Sequence, residues 1–257
     1  MRKIFLLGVP IDACTQVEAV AAMQEMLKEE KQCHVMTPNS EMLVEATRNP
    51  KLFSLLQRTA LNLPDSIGVV LMAKFVGQDR LQRVTGVDTV EGLCRSLTEE
   101  IPVFFLGASP GIAEQAAAAL QGENPHLKIT GTYAGTPKPE DAAAICAAIQ
   151  NAKPLLLLVA YGAPQQDLWI DQHLAQLPSV RVAIGVGGTL DFLAGKVRRA
   201  PNMLQNLGLE WLWRLCLEPW RFMRIIRATL VFPFLVLRSR FGGAAPRAQR
   251  TTPARLS

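Results

Sequence analysis

A chain of 257 residues with 49% apolar residues and a net charge of +5 holds ample material for a packed core, which excludes a disordered chain. Its length fits one large domain or one domain with an appendage. Five cysteines (Cys14, Cys33, Cys94, Cys146 and Cys216) stand without C-x-x-C spacing and with no histidine at ligand spacing. They read as buried small residues in a reducing compartment rather than as a disulfide framework or a zinc site.

The charge is divided unevenly. Residues 196–257 hold 12 Lys/Arg against 2 acids, while the remainder holds 15 against 20. A tail of that sign calls for an anionic partner, either a membrane or a nucleic acid. Met1-Arg2-Lys3 precedes an apolar run too short for a secretory signal, and no run reaches the ~20 residues of a membrane span. The expected location is the cytoplasm, on the inner side of the membrane.

In chain order, residues 4–9 read as a strand or short hairpin element. A helix starts at Asp12 or Thr15 and runs to about 30, with Val17, Val20, Ala21 and Leu27 on one face. A short strand, 33–36, delivers Thr37 and Asn39, and Ser40 is placed to N-cap a helix from Glu41 to about 48. A second helix covers 50–57, and 59–63 is strand-like before Pro64-Asp65. Residues 67–75 read as a buried helix, 83–88 as a polar loop and 89–97 as a helix.

The clearest strand–turn–helix unit is 103–106, Gly107-Ala108-Ser109-Pro110-Gly111 and 112–120. A strand at 127–130 and a helix at 139–151 follow. The run 155–160 is continuously apolar, as in a parallel strand covered on both faces. A helix at 165–174 leads to a last strand, 181–186, that ends in Gly185-Val-Gly-Gly-Thr189. This alternation predicts an α/β, Rossmann-like, doubly wound and mostly parallel sheet over residues 1–195. Residues 196–257 read as a basic, amphipathic helical C-terminal appendage, disordered after about 240.

Thr37-Pro38-Asn39-Ser40-Glu41 and Leu63-Pro64-Asp65-Ser66 mark the mouth of such a sheet, where strand ends and helix N-termini face a ligand. Asp65 is suited to take a proton from an attacking hydroxyl, although Pro-Asp-Ser before an apolar helix reads equally as an N-cap. Thr37 and Asn39 serve either a ligand or their own loop backbone. Arg83 suits a diphosphate or a solvated surface; Gln166, beyond Tyr161 and Gly162, suits a sugar or a helix start.

The Gly107 turn with Ser109 is neither G-x-G-x-x-G nor a Walker A, yet its amides suit a phosphate as well as they suit an ordinary tight turn. Gly187 and Gly188 let a ligand approach the backbone, and two such loops on one sheet edge favour a nucleotide. Asp191 reads as a partner of a sugar hydroxyl or as a first-turn acid. There is no Asp-x-Asp, and His34, His126 and His173 stand apart from carboxylate clusters, so no metal and no cofactor is expected.

In the tail, Trp211, Trp213 and Trp220 alternate with Arg214, Arg221, Arg224 and Arg227 before an apolar patch holding Phe232 and Phe234. That mixture suits an anionic bilayer surface. A nucleic acid would use the same arginines but leave Phe232, Phe234, Leu235 and Leu237 exposed, so membrane docking and no nucleic acid are expected. Part of the tail, at least 204–209, also suits core packing.

Taken together, these stretches resemble the WecG/TagA/CpsF family of bacterial glycosyltransferases. The matching residues are Thr37-Pro-Asn-Ser-Glu41, Asp65 with Gly68-Val69, Arg83-x-x-Gly86-x-Asp88 and Leu106-Gly-Ala-Ser-Pro-Gly111. Gly162-x-Pro164-x-Gln166-Asp167-x-Trp169, Gly185-Val-Gly-Gly-Thr-Leu-Asp191-Phe and Ala194-Gly195 follow. The last are Arg199-Ala-Pro201, Gly208-Leu-Glu-Trp211-x-x-Arg214 and Glu218-Pro-x-Arg221, so the likeness covers residues 3 to 227.

The resemblance implies inverting, metal-independent transfer of an N-acetylmannosamine-type sugar from a UDP-sugar donor to a polyprenyl-diphosphate-linked N-acetylglucosamine acceptor. It implies Asp65 as the base. Thr37, Asn39, Arg83 and Gln166 position the sugar and steady the leaving diphosphate, with Arg214 or Arg221 folding over the site. It further implies a tail docked on the cytoplasmic membrane face, and self-association into a homo-oligomer. The family's Asp-Gly pair is Asp65-Ser66 here, and its Gln-Glu pair is Gln166-Asp167. The alternatives are glucosyl or uronosyl transfer for exopolysaccharide on the same scaffold, or a non-catalytic nucleotide-binding membrane adaptor.

Overall fold

Gly8 at φ +80° turns the first apolar run back on itself, so residues 2–13 form a hairpin of β1 (Arg2–Leu6) and β2 (Val9–Ala13), a separate antiparallel pair. The computed structural model describes residues 1–78, 81–206, 208–219 and 222–241. After the hairpin come α1 (Gln16–Lys28), β3 (Cys33–Met36), α2 (Ser40–Ala46), α3 (Pro50–Arg58), β4 (Leu61–Asn62), α4 (Ile67–Phe75) and α5 (Gly86–Ser96). Then follow β5 (Val103–Gly107), α6 (Ile112–Glu123), β6 (Ile129–Tyr133), α7 (Pro139–Ala152), β7 (Leu156–Ala160), α8 (Gln165–His173), β8 (Val182–Gly185) and α9 (Thr189–Leu193). The C-terminal segment adds α10 (Asn202–Asn206), α11 (Glu210–Leu217), α12 (Phe222–Ile226), a π-helical turn (Arg227–Val231) and α13 (Phe232–Phe241).

Six strands form one sheet in the order β4-β3-β8-β7-β5-β6, each neighbouring pair parallel. The expected α/β, Rossmann-like class is the observed one. Side chains alternate across the strands. Leu156, Leu158 and Ala160 pack with Val35, Phe105 and Ile184 under α1, α5, α6 and α9. Leu157 and Val159 face the other way, with Phe104, Leu106 and Ala183, under α7 and α8. Coverage on both faces is why the strand reads as an unbroken apolar run.

Several boundaries move for local reasons. Asp12 does not start a helix: it is buried in β2, accepts a hydrogen bond from Asn62 N–H at 2.8 Å and faces Lys3. Thr15 and Glu18 form the capping box of α1, whose buried face is Ala19, Met23 and Leu27, while Val17 is 78% exposed. Asn39, rather than Ser40, caps α2, accepting from Met42 N–H. The loop expected at 83–88 already turns helical at Gly86, with Thr85 accepting from Asp88 N–H as its cap. Of the cysteines, four are buried but Cys216 is exposed, and burial pushes the Cys94 thiol up to about 12.

The C-terminal segment is anchored in the main core. Phe232 and Val236 are buried beside Met36, Leu43, Val69 and Ala73 on α2, α4 and β3. Phe232 is therefore a core side chain, not the membrane-facing one expected from its place in the apolar patch, whereas Phe234 is 61% exposed. No helix among the described residues is long and apolar enough to cross a membrane. Residues 242–257, expected to be disordered, lie outside the described residues.

Candidate active site

Strand ends build the floor of a cavity of about 320 Å³. Thr37 and Asn39 follow β3, Tyr161 and Gly162 follow β7, and Val186, Gly187, Gly188 and Thr189 follow β8. It lies outside the carboxyl ends of the central strands, where ligands of such sheets bind. Asp65, beyond β4, completes the wall.

The competing role of Asp65 as a cap is taken by its neighbour: the Ser66 hydroxyl accepts from Val69 N–H and caps α4. The Asp65 carboxylate is left to face Gly86 N–H, from which Oδ1 accepts at 2.8 Å at the start of α5. Burial pushes its pKa above the ordinary carboxylate value; the Gly86 bond and the Arg83 charge pull it down, Glu210 pushes it up and Arg214 lowers it. A carboxylate raised in this way is a better proton acceptor near neutral pH.

Thr37 Oγ1 donates to the Gly185 carbonyl at 3.4 Å, and Asn39 Oδ1 is held by the α2 cap. Gln166 is 3% exposed, and its Oε1 accepts from Gly187 N–H at 2.8 Å. The Gly187 amide is thereby engaged by the protein. A Cβ on Gly185 would run into the Asp167 carboxylate and the Gln166 amide, so this glycine lets α8 press onto the end of β8. Asp167 is fully buried with His34 Nε2 at 3.4 Å. Asp191 lines the cavity and faces Lys196 at 3.5 Å. The Tyr161 ring lines it too, while the hydroxyl is buried and burial pushes its pKa up.

Gly107 and Ser109 line neither this cavity nor the second one. A Cβ on Gly107, at φ +94°, would come within 2.9 Å of the Ala160 backbone and the Tyr161 ring, so close packing of β5 on β7 uses this glycine. Ser109 Oγ accepts from Lys196 at 3.4 Å.

A second cavity, of about 410 Å³, opens beyond Asp65. Asn39, Asp65, Val87, Phe192, Arg214 and Arg224 line both. Its arginines are held by acids. Arg83 donates through Nε to the Asp65 carbonyl at 2.9 Å and through Nη2 to Glu210 at 2.6 Å. Arg199 pairs with Asp88 at 2.6 Å and reaches Glu210 at 4.0 Å. Arg224 pairs with Glu41 at 2.7 Å, with Arg227 at 3.8 Å from the same carboxylate. Arg214 lies over the Phe192 ring, 4.8 Å from its centroid, and within 3.4 Å of Glu218. Trp213 turns its indole N–H back to the Arg198 carbonyl, and Trp220 and Arg221 lie outside the described residues. Among the described residues, no group of three or more His, Cys, Asp or Glu is arranged to hold a metal ion.

Residues 4–246 match the model of the Glycosyl transferase WecG/TagA/CpsF family. The chain belongs to that family. It is 31% identical over 193 residues to the N-acetylglucosaminyldiphosphoundecaprenol N-acetyl-beta-D-mannosaminyltransferase of Bacillus subtilis strain 168, covering 75% of this chain and 74% of the relative. A protein of the same name from Bacillus spizizenii strain W23 is 31% identical over 201 residues, covering 78% and 77%.

In this WecG/TagA/CpsF-family glycosyltransferase the C-terminal helices thus form one side of the candidate cleft. Glu41, Glu210 and Arg199, which hold that side in place, were absent from the residues singled out for the site. They lay inside the matched motifs, but a pair 127 residues apart such as Arg83–Glu210 leaves no periodic mark in a sequence.

Proposed function

We propose that this glycosyltransferase moves an N-acetylmannosamine-type residue from UDP to the N-acetylglucosamine of a polyprenyl-diphosphate-linked acceptor, with Asp65 as general base. One observation carries the reading: the Asp65 carboxylate stands where two cavities meet, able to face a donor on one side and an acceptor on the other. The names of the two Bacillus relatives supply the sugar and the acceptor class.

In the proposed reaction the Asp65 carboxylate takes the proton from the acceptor hydroxyl, whose oxygen forms a bond to the donor's anomeric carbon. The bond from that carbon to the UDP oxygen breaks, and its electron pair leaves with the diphosphate. A single displacement of this kind inverts the anomeric centre. Positive charge must meet the leaving diphosphate, and in a metal-free reaction the protein supplies it. Arg214 lines both cavities, and its guanidinium lies 3.4 Å from where a Gly188 Cβ would stand, so it is the supplier on the donor side. Arg83 lines only the second cavity and serves the acceptor side. Thr37, Asn39, Asp191 and the loop braced by Gln166 shape the donor's seat. Exposed Leu212, Leu217, Phe222, Met223, Leu230 and Phe234, among the tail's arginines, support peripheral docking on an anionic membrane face.

The test is transfer to a lipid-diphosphate-linked N-acetylglucosamine from a panel of UDP-sugars in EDTA. The reading predicts metal-independent turnover with UDP-N-acetylmannosamine and a β-linked product. Turnover with UDP-glucose or a UDP-uronic acid alone would replace the donor, and binding of UDP without transfer from any donor would favour the adaptor.

A further inference from the structure

The second cavity changes character along its length. Next to Asp65 it is lined by Arg83, Arg199, Arg214 and Arg224 with Glu41 and Glu210; farther out its walls are Ile67, Gly68 and Leu71 of α4 against Ile225, Ala228 and Thr229 of the C-terminal helices, with Trp211 beside them. The spacings are helical on both sides: 67, 68 and 71 form one face of α4, and 224, 225, 228 and 229 one face of the facing helix. Gly68 keeps the gap between them narrow, since a Cβ there would lie 3.8 Å from the Ala228 carbonyl and 2.6 Å from the Ser40 hydroxyl. At the outer rim Leu71 is 56% and Trp211 38% exposed. The facing wall includes a π-helical turn, a form that recurs at functional sites.

A groove that is arginine-rich and polar at its reactive end, with four arginines against three acids in its lining, and apolar toward solvent fits an amphiphile with an anionic head. We propose that it holds the first isoprene units of the acceptor's lipid chain, with the acceptor diphosphate among the arginines and the chain leaving past Leu71 and Trp211. This assignment rests on the function proposed above and adds the path of the lipid. Continuity with the cleft selects this occupant, because Asp65, Asn39, Arg214 and Arg224 belong to both cavities. The volume, about 410 Å³, lies within the range of small-molecule sites and suits a short stretch of chain rather than the whole lipid. The walls then select for chain length and against unlipidated sugar diphosphates.

The experiment has a binding arm and a turnover arm. Calorimetry compares a 15-carbon isoprenyl diphosphate with inorganic diphosphate on the full chain, on Ala228→Trp, which fills the groove, and on Leu71→Glu, which charges a wall residue already largely exposed. The groove predicts at least about tenfold tighter binding of the isoprenyl diphosphate, that preference shrinking about tenfold in either variant while inorganic diphosphate binding holds. In turnover, N-acetylglucosamine diphosphates on 5-, 10- and 15-carbon chains should show KM falling with length in the wild type and flat in the variants, the donor KM being unchanged. Equal affinity for the two diphosphates, or equal losses in both variants whatever the chain length, would overturn the groove. Chain-dependent binding without any transfer would keep the groove and sink the reaction.

Discussion

The two sides of the cleft are held by different forces. The strand-end side, from Thr37 through Gly185 to Gln166, sits on a sheet whose strands are buried on both faces and is fixed by short hydrogen bonds such as Gln166 to Gly187. The C-terminal side is held by partly exposed ion pairs, Arg83–Glu210, Arg199–Asp88 and Arg224–Glu41, and by one apolar anchor, Phe232 with Val236. Packing is not screened by salt, whereas exposed ion pairs are. The first side is therefore a rigid seat and the second an electrostatically latched one.

Phe232→Ala should do most to break that contrast, because it removes the anchor the latches depend on. A loss of about 3–5 kcal/mol is expected for a fully buried phenylalanine, read by denaturant unfolding. Glu210→Gln should come next, at about 1.5–3 kcal/mol, because it takes a charged acceptor from Arg83; its effect on acceptor KM should exceed that on donor KM. Gly185→Ala should cost about 1–3 kcal/mol by overpacking the Asp167 and Gln166 side chains, and that loss should persist in 1 M salt. Glu41→Gln should cost least, about 0.2–1 kcal/mol, and high salt should erase it. If salt abolished the Gly185→Ala loss and spared the Glu41→Gln one, the contrast would be wrong.

The same contrast explains what the sequence disclosed. Strand runs such as 156–160 and the polar clusters after them are local patterns, so the sheet and the places of Asp65, Thr37 and Gln166 were legible. The Gly107 turn read as suited equally to a phosphate or to a tight turn, and the glycines after β8 as letting a ligand approach the backbone. Which neighbour approaches, here Tyr161 and Asp167, depends on contacts that no window shows. Phe232 was read as membrane-facing because a ten-residue apolar patch looks alike whether a membrane or a core covers it. Nothing local marked Glu41 and Glu210 as brackets of the cleft, because the arginines that they hold lie 183 and 127 residues away.

Asp65 carries the central claim and has a stability signature of its own. Its folded-state pKa is raised, so between the unfolded value of about 3.9 and the raised value the native state holds the extra proton. Stability falls as pH rises through that window, and at neutral pH the charged side chain is a cost. Asp65→Asn should therefore melt no lower than wild type at pH 7, and the acid limb of wild-type kcat/KM should lie above the ordinary carboxylate range. The most direct measurement is single-turnover transfer by Asp65→Asn beside its affinity for UDP. The account predicts a rate lower by about 10²–10⁴ with UDP affinity retained, as for loss of a general base. Transfer at the wild-type rate would contradict it.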